Sequence, residues 1–484
     1  MKKNKRLGIL LGLLVLACAA TFALTHYEKK QEQIKNSDEI ILEIPTDSVQ
    51  TLAWEYEDTS LSFHRDETWI YDDDEAFPVD DEKIQGLLEQ FEAFGVSFII
   101  EEVEDYGQYG LDNPICTITF TTEEETYAVK LGNFSNMDEQ RYVDIGDGNV
   151  YLVSNDPLEQ FDAVLSDVID HDEMPDFDQV RSICFAGMEN YSITYEEEST
   201  KSYSSEDVYF TQDGQPLDTA LVEDYLDTIS SLDATDYVTY NATEEELASY
   251  GLDNPELTVT VDYTYENEDE EEISETFVLN ISRDPEEVAA AEESEEEDNE
   301  ITAYVRVGES QIVYRVTSDE RAALTKASYN DLRHQKVFWA DFDDVYQIDI
   351  TLEEKKHTLV CEEEDDERVW YYQEEATAAA TEETTGETTG ETDEEEREVL
   401  DLSTLQSALK SLTATSFTSE KAGDKEEIRL TVYLDNENFP KVQIELYRYN
   451  GSDCLAVVDG KPVSLVSRSS VMDLVEAVQA IVLN

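Results

Sequence analysis

Tyr109-Gly110-Leu111-Asp112-Asn113-Pro114 recurs letter for letter as Tyr250-Gly251-Leu252-Asp253-Asn254-Pro255. The spacing of the two copies is that of a domain, not of a solenoid repeat. Ahead of the second copy stands Thr243-Glu244-Glu245-Glu246, a capping box with Thr243 as cap and Glu246 three residues on. The helix it opens is about two turns long, because Gly251 suits the left-handed C′ position. Leu252 then falls at C″, where it meets Leu247 at C3, and the first copy permits the same pairing of Leu111 with Tyr106. Asp and Asn side chains are expected to cap backbone donors in the turn, and Pro cannot extend a helix. A strand follows each copy: Cys116, Ile118 and Phe120 alternate with Thr117 and Thr119, and Leu257, Val259 and Val261 alternate with Thr258 and Thr260. The phrase therefore reads as a junction that stops a short helix and launches a strand. The competing functional reading makes Asp112, Asn113, Asp253 and Asn254 a pair of polar ligand sites.

A second repeat is wider than the first. Asp80 is expected to cap a helix with Ile84, Leu87, Leu88 and Phe91 on one face, and Val79 stands at the staple position to Ile84. Leu217-Asp218 precedes Val222, Tyr225, Leu226 and Ile229 at the same offsets, and Leu400-Asp401 precedes Leu405, Ala408, Leu409 and Leu412. Strand residues precede each helix: Trp69-Ile70-Tyr71, Val208-Tyr209-Phe210 and Val369-Trp370-Tyr371. Strands starting at Val150, Val313 and Val463 close the three units. Closing helices follow, carrying Leu158, Phe161, Leu165 and Val168 in the first and Val471, Leu474, Val475 and Val478 in the third. The expected fold is α+β, an N-terminal transmembrane helix followed by three related modules of mainly antiparallel sheet with two packed helices each. The modules are placed at 37–175, 176–336 and 337–484. Residues 37–57 are expected to form a first strand pair. Polar runs at 284–300, inside the second module, and 374–398, inside the third, are expected to be mobile loops. The third module lacks the hexapeptide. Residues 418–428 take its place, with Gly423 as the turn glycine.

Lys2, Lys3, Lys5 and Arg6 precede an uncharged run from Leu7 to Leu24. At ~1.5 Å per residue that run spans about 27 Å as a helix, enough for a thin bilayer core. Residues 1–6 then form a cytoplasmic basic stub and 7–25 a single-pass anchor, with the bulk extracytoplasmic. A cleaved signal peptide and lipidation at Cys18, within the lipobox-like Val15-Leu16-Ala17-Cys18, are the alternatives.

The formal net charge of −84 on 484 residues excludes nucleic acid as an expected partner, because phosphate is gripped by cations. No stretch fits a calcium loop: Asp72-Asp73-Asp74 lacks the following Gly, and the Asp144 to Gly148 segment is too sparse in ligands. His26, His64, His171, His334 and His357 are scattered. Cys116, Cys184, Cys361 and Cys454 lie far apart in strand-like contexts, read as buried thiols with one or two disulfides left open. Lys461, after Gly460 and before Pro462, reads as a hairpin residue, not a catalytic base. No catalytic residue, cofactor or metal site is expected, and the chain is read as a non-enzyme.

Together the anchor, the stapled helix and the hexapeptide at 109–114 and 250–255 leading into a Thr-rich strand resemble a bacterial family, domain of unknown function 4340. The resemblance covers roughly 40–332, and the third module more weakly. It implies membrane anchoring and an accessory or scaffold role beside ABC-type transporters, with transporter subunits or another membrane protein as partner. It supplies no catalytic residues. The alternative expectation is a cell-envelope module, lipoprotein-like, that recognises wall polymer or a cationic ligand through its acidic surface.

Overall fold

The computed structural model describes residues 39–483 apart from 102, 154, 198–199, 268, 294–300, 365–366 and 374–397. The basic stub, the apolar run and Cys18 lie outside the described residues, as does nearly all of the polar run 374–398. Among the described residues no helix is long and apolar enough to cross a membrane. The described residues form two compact units, one of 39–173 with 237–242, the other of 174–236 with 243–483.

In the first unit, β1 (Glu39–Leu42), β2 (Val49–Tyr56), β3 (Thr59–Arg65) and β4 (Trp69–Tyr71) precede helix α1 (Asp81–Glu89). β5 (Phe94–Ile100), β6 (Cys116–Thr122), β7 (Thr126–Ser135), β8 (Gln140–Asp144) and β9 (Val150–Val153) complete an antiparallel sheet of order β1-β5-β9-β8-β7-β6-β2-β3-β4. Asp80 caps α1 by accepting from the Lys83 N–H at 3.0 Å, and Ile84, Leu87, Leu88 and Phe91 are buried. Each such side chain contributes ~1.5–3 kcal/mol by leaving water. They pack among Trp54, Phe120 and Phe161, with Phe91 and Phe120 ring centroids 4.8 Å apart.

Two expectations fail here. The first strands do not pair with each other: β1 lies on β5, and β2 lies between β3 and β6. Pro45 separates them, and Ile44 donates instead to the Phe91 carbonyl at 2.9 Å. The closing helix also stops early. Helix α2 is only Leu158–Phe161, because the Asp167 carboxylate accepts the Val164 N–H at 2.8 Å and starts a new 3₁₀ turn, Leu165–Asp167.

The second unit carries two sheets. Its first contains β10 (Gln179–Gly187), β11 (Tyr191–Tyr195) and β12 (Tyr209–Thr211), followed by α3 (Thr219–Ser230). The chain then forms β13 (Tyr237–Thr239), the residues of which belong to the first unit, and α4 (Glu244–Ser249). β14 (Leu257–Glu266), β15 (Glu272–Arg283), α5 (Pro285–Glu293), β16 (Ala303–Val307), β17 (Val313–Val316), α6 (Ser318–Leu324) and α7 (Tyr329–Leu332) follow. Strands here run β17-β16-β15-β14-β10-β11-β12. Helix α5 replaces the loop expected over 285–293, although the helix buries no residue, and 294–300 lie outside the described residues.

The last sheet uses β18 (Val345–Leu352), β19 (Lys355–Glu364), β20 (Glu367–Gln373) and β21 (Val399–Leu400), then α8 (Ser403–Lys410). β22 (Ala414–Phe417), β23 (Glu426–Leu434), β24 (Lys441–Arg448), β25 (Asp453–Val458), β26 (Lys461–Ser467) and α9 (Arg468–Val482) end the chain. The order is β22-β26-β25-β24-β23-β18-β19-β20-β21. Asp401 lies one residue ahead of the N-cap, Leu402, yet its carboxylate still accepts the Ser403 N–H at 2.9 Å. Val471, Leu474, Val475 and Val478 of α9 are buried as the periodicity requires.

One plan underlies all three sheets. A four-strand meander (β6–β9, β14–β17, β23–β26) takes a hairpin arm (β2, β10, β18) onto its first strand. The arm carries a register shift at the same place each time, after Val49, Val180 and Val345, all buried. Helix content, by contrast, differs from module to module, so the expectation of two packed helices each does not hold.

Candidate functional site

The hexapeptides adopt the expected geometry. Leu252 N–H donates to the Leu247 carbonyl at 2.8 Å and Gly251 N–H to the Ala248 carbonyl at 3.2 Å, the two bonds of a Schellman stop. Gly110 and Gly251 sit at φ +74° and +71°, and in the first copy Leu111 N–H donates to the Tyr106 carbonyl at 3.1 Å. Thr243 and Glu246 close the capping box. The side chains of Asp112, Asn113, Asp253 and Asn254, however, are exposed and make no hydrogen bond among the described residues, so they do not cap the turn. The tyrosines do more than the sequence indicated. Tyr109 packs on Tyr142 of β8 at 4.9 Å between centroids, and Tyr250 packs on Tyr304, the counterpart on β16, at 4.8 Å. Each of these contacts ties the turn to the meander of its own module.

Polar chemistry concentrates instead where the second module meets the third, within the second unit. Asp207, 4% exposed, accepts from His334 Nε2 at 2.9 Å and from the Trp339 indole N–H at 3.1 Å, and its second oxygen also takes the Ser202 hydroxyl. His334 Nδ1 lies 3.5 Å from Asp218, whose other oxygen caps α3 through the Ala220 N–H. The imidazole lies flat on Trp339, centroids 4.3 Å apart at 12°. Burial pulls the imidazole pKa down, but hydrogen bonds and charge from Asp207 and Asp218 outweigh it, and the net shift is upward. The hydrogen bond from His334, working against burial, holds Asp218 below the usual carboxylate range. Sequence reading found Asp218 as a cap and set His334 aside as scattered. It missed Asp207, for which no local pattern exists.

Beside this junction lies a cleft of about 870 Å³. The second module supplies Lys201, Tyr203, Pro216 and Arg333, and the third supplies Trp339, Phe417, Phe439 and Lys461. Tyr203 extends into the core of the third module, its ring 4.5 Å from Trp339, and its buried hydroxyl has no hydrogen-bond partner among the described residues. Burial, then the charges of Asp459 and Asp207, push that phenol well above its ordinary pKa. The Arg333 guanidinium lies over two rings, 4.4 Å from Phe417 and 4.9 Å from Tyr329. Lys461 follows the Asp459-Gly460 turn, both residues at positive φ, which is the hairpin role expected of it.

The other candidates are dispersed. His64 pairs with Asp72 at the surface and His357 meets the Tyr372 hydroxyl at 2.9 Å. Asp144 holds the Gly146 N–H at 2.7 Å, and among the described residues no group of side chains is arranged to hold a metal ion. Cys116 and Cys454 are buried, Cys361 is half-buried and Cys184 is exposed. All four are free thiols, which corrects the reading of uniformly buried cysteines and leaves no disulfide among them.

The family model described as Domain of unknown function (DUF4340) matches residues 69–244 and again 208–432. The chain belongs to this family. The two DUF4340 matches begin at equivalent places, Trp69 opening β4 and Val208 just before β12, so the family pattern repeats along with the sheet plan. They reach further than the resemblance drawn from the hexapeptides, into β23 of the third module. No curated protein and no solved structure matches the chain.

Proposed function

We propose that this DUF4340 protein is a non-catalytic scaffold of the bacterial cell envelope. In this reading residues 7–25 tether it to the membrane, its bulk lies outside the cytoplasm, and it serves as an accessory component of an ABC-type transport complex. The observation that supports the reading most is the junction of the second and third modules. Asp207, held by His334 and Ser202 of its own module, accepts the indole N–H of Trp339 from the third, so this buried carboxylate acts as a clamp between modules. A clamp fixes surfaces relative to each other, which is what a scaffold requires. The uncharged Leu7 to Leu24 run behind a basic stub supplies the tether.

The test is affinity purification of the full chain from detergent-solubilised membranes with mass spectrometry of what co-elutes. Integral transporter subunits should be recovered, and deletion of 7–25 should release the protein into the soluble fraction. Recovery without any membrane protein would overturn the reading.

A second reading rests on the net charge of −84: the acidic surface captures a cationic ligand or a wall polymer. Capture of that kind weakens steeply with added salt, whereas scaffold contacts with a membrane partner survive it.

A further inference from the structure

From the cleft between the second and third modules we infer a binding site for a small organic oxyanion, a carboxylate or phosphate carried on an apolar or ring-shaped body. The inference goes beyond the scaffold reading and does not depend on it.

Charge is the first argument. The chain has 32 Lys and Arg against 116 Asp and Glu. The cleft departs from that balance, setting Lys201, Arg333 and Lys461 against Glu420 and Asp459, with Lys201 already paired to Glu196. The two acids are already engaged, Glu420 by the Tyr449 hydroxyl at 2.7 Å and Asp459 by the Gln443 N–H at 2.9 Å. Neither Arg333 nor Lys461 has a carboxylate within ion-pair distance among the described residues. In a protein with so large an excess of acid, an arginine with no carboxylate in ion-pair reach is unusual, and its place in a cleft points to an external anion.

Preorganisation is the second. The Phe417 and Tyr329 rings lie 4.4 and 4.9 Å from the Arg333 guanidinium carbon and restrict the movement of that group. A planar fork fixed in this way matches the two oxygens of a carboxylate or phosphate and loses little side-chain entropy on binding.

The third argument is the shape and apolar lining of the cleft. Tyr203 is 7% exposed and lines the cleft, yet its hydroxyl has no partner among the described residues. That hydroxyl is sealed from solvent, so Tyr203 offers the cleft the side of its ring and anchors the wall in the core of the third module. Phe439, Pro216, Pro462 and Val463 provide apolar wall for the body of the ligand, and a cavity of about 870 Å³ falls in the range of small-molecule sites. Bare phosphate fills little of it, so the body is part of what is recognised.

The probes are phenyl phosphate and benzoate, with inorganic phosphate and phenol as controls for the anion and the ring taken separately. They are titrated against the full chain in detergent, with melting temperature and tryptophan emission as readouts. Phenyl phosphate or benzoate should raise the melting temperature more than either control, and which one does so separates phosphate from carboxylate recognition. Arg333→Gln should weaken the favoured probe by about tenfold or more, equivalent to ~1.4 kcal/mol. Lys461→Gln is an exposed change that cannot unfold the protein, and it should weaken binding in the same direction. The inference is overturned if neither probe exceeds both controls at millimolar concentration, or if binding survives both substitutions unchanged. Transporter co-purification is unaffected by any of these results, so each proposal can fail alone.

Discussion

Asp207 and His334, far apart in sequence, form a 2.9 Å hydrogen bond within the second module, and Trp339 of the third donates to the same carboxylate at 3.1 Å. Asp218 faces the other ring nitrogen, while Lys336, Lys410, Glu206 and Glu223 line the cavity around the pair. The imidazole pKa is raised in the folded state above its ordinary value near 6.5. Stability from this group is therefore fully present below that ordinary value and is lost as pH rises through the folded-state value. Asp218 is shifted down, so its share is present above the usual carboxylate range and is lost as pH falls through its folded-state value. The clamp is strongest in the mildly acidic window between. His334→Gln should cost about 2 kcal/mol near pH 6, and the melting-temperature gap to the parent should narrow toward pH 9. A gap that stays constant across that range would show that the ring acts by shape alone.

The first module fills the corresponding place differently. Asp80 N–H donates to the Val168 carbonyl at 3.0 Å just as Asp218 N–H donates to that of Leu332, which aligns Asp170 with His334. Burial, then the charge of Asp80, raises the Asp170 carboxyl pKa. Asp170→Asn should therefore stabilise the protein slightly at neutral pH, or leave it unchanged, when measured by urea unfolding, and the gain should vanish in acid as both forms become neutral. A clear loss of stability at pH 7 would contradict the alignment.

Gly251→Ala should destabilise by about 1 kcal/mol or more, because left-handed backbone penalises a Cβ. The new atom would lie 2.6 Å from Ser282 Oγ and 3.0 Å from the Arg283 carbonyl oxygen. Gly110→Ala meets the Asn133 side chain at 2.5 Å, a neighbour with more freedom to move, so its cost should be the smaller. Urea unfolding of the two variants checks both the sign and the order.

Hexapeptide, caps and stripes were legible because each is a local device, set by residues within one or two turns. Asp80, Gly251 and the Cys116–Phe120 alternation all did what their immediate neighbours require. What escaped was non-local. Nothing near Ile40 announces that its partner is Gly95 and not a residue of the next strand. The pairing of Asp207 with His334 has no sequence signature at all. Two missed signals were nonetheless in view: Asp176-Phe177-Asp178-Gln179-Val180 and Asp341-Phe342-Asp343-Asp344-Val345 precede the register shifts of the second and third hairpin arms. That phrase would have tied the third module to the second where the hexapeptide could not. Gly423, proposed as a turn glycine, has no left-handed backbone, and 418–425 is an irregular connection.

Thiol chemistry should divide the cysteines. Burial, opposed by Arg141, pushes the Cys116 thiol up to about 12, and Cys454 is fully buried. A maleimide at pH 7.5 should label exposed Cys184 first and half-buried Cys361 more slowly, and should reach Cys116 and Cys454 only after urea is added. Rapid native labelling at Cys116 would mean that the β2–β6 pairing around it opens.

The repeated tyrosine pairs supply the sharpest test of what the hexapeptide is for. Tyr109 meets Tyr142 and Tyr250 meets Tyr304, in both modules between the turn and the third strand of the meander, with ring planes inclined at 50° and 57°. Tilted aromatic pairs of this kind add ~0.5–1.5 kcal/mol beyond the area they bury. A double-mutant cycle with Leu at each position removes the ring pair while keeping apolar volume, so the coupling it yields isolates the pair from simple burial. A structural junction predicts similar coupling energies in the two modules, and phenyl phosphate binding that does not change in any of the variants. Unequal couplings, with one pair near zero and its variant impaired in partner recovery from membranes, would return the hexapeptide to the functional reading.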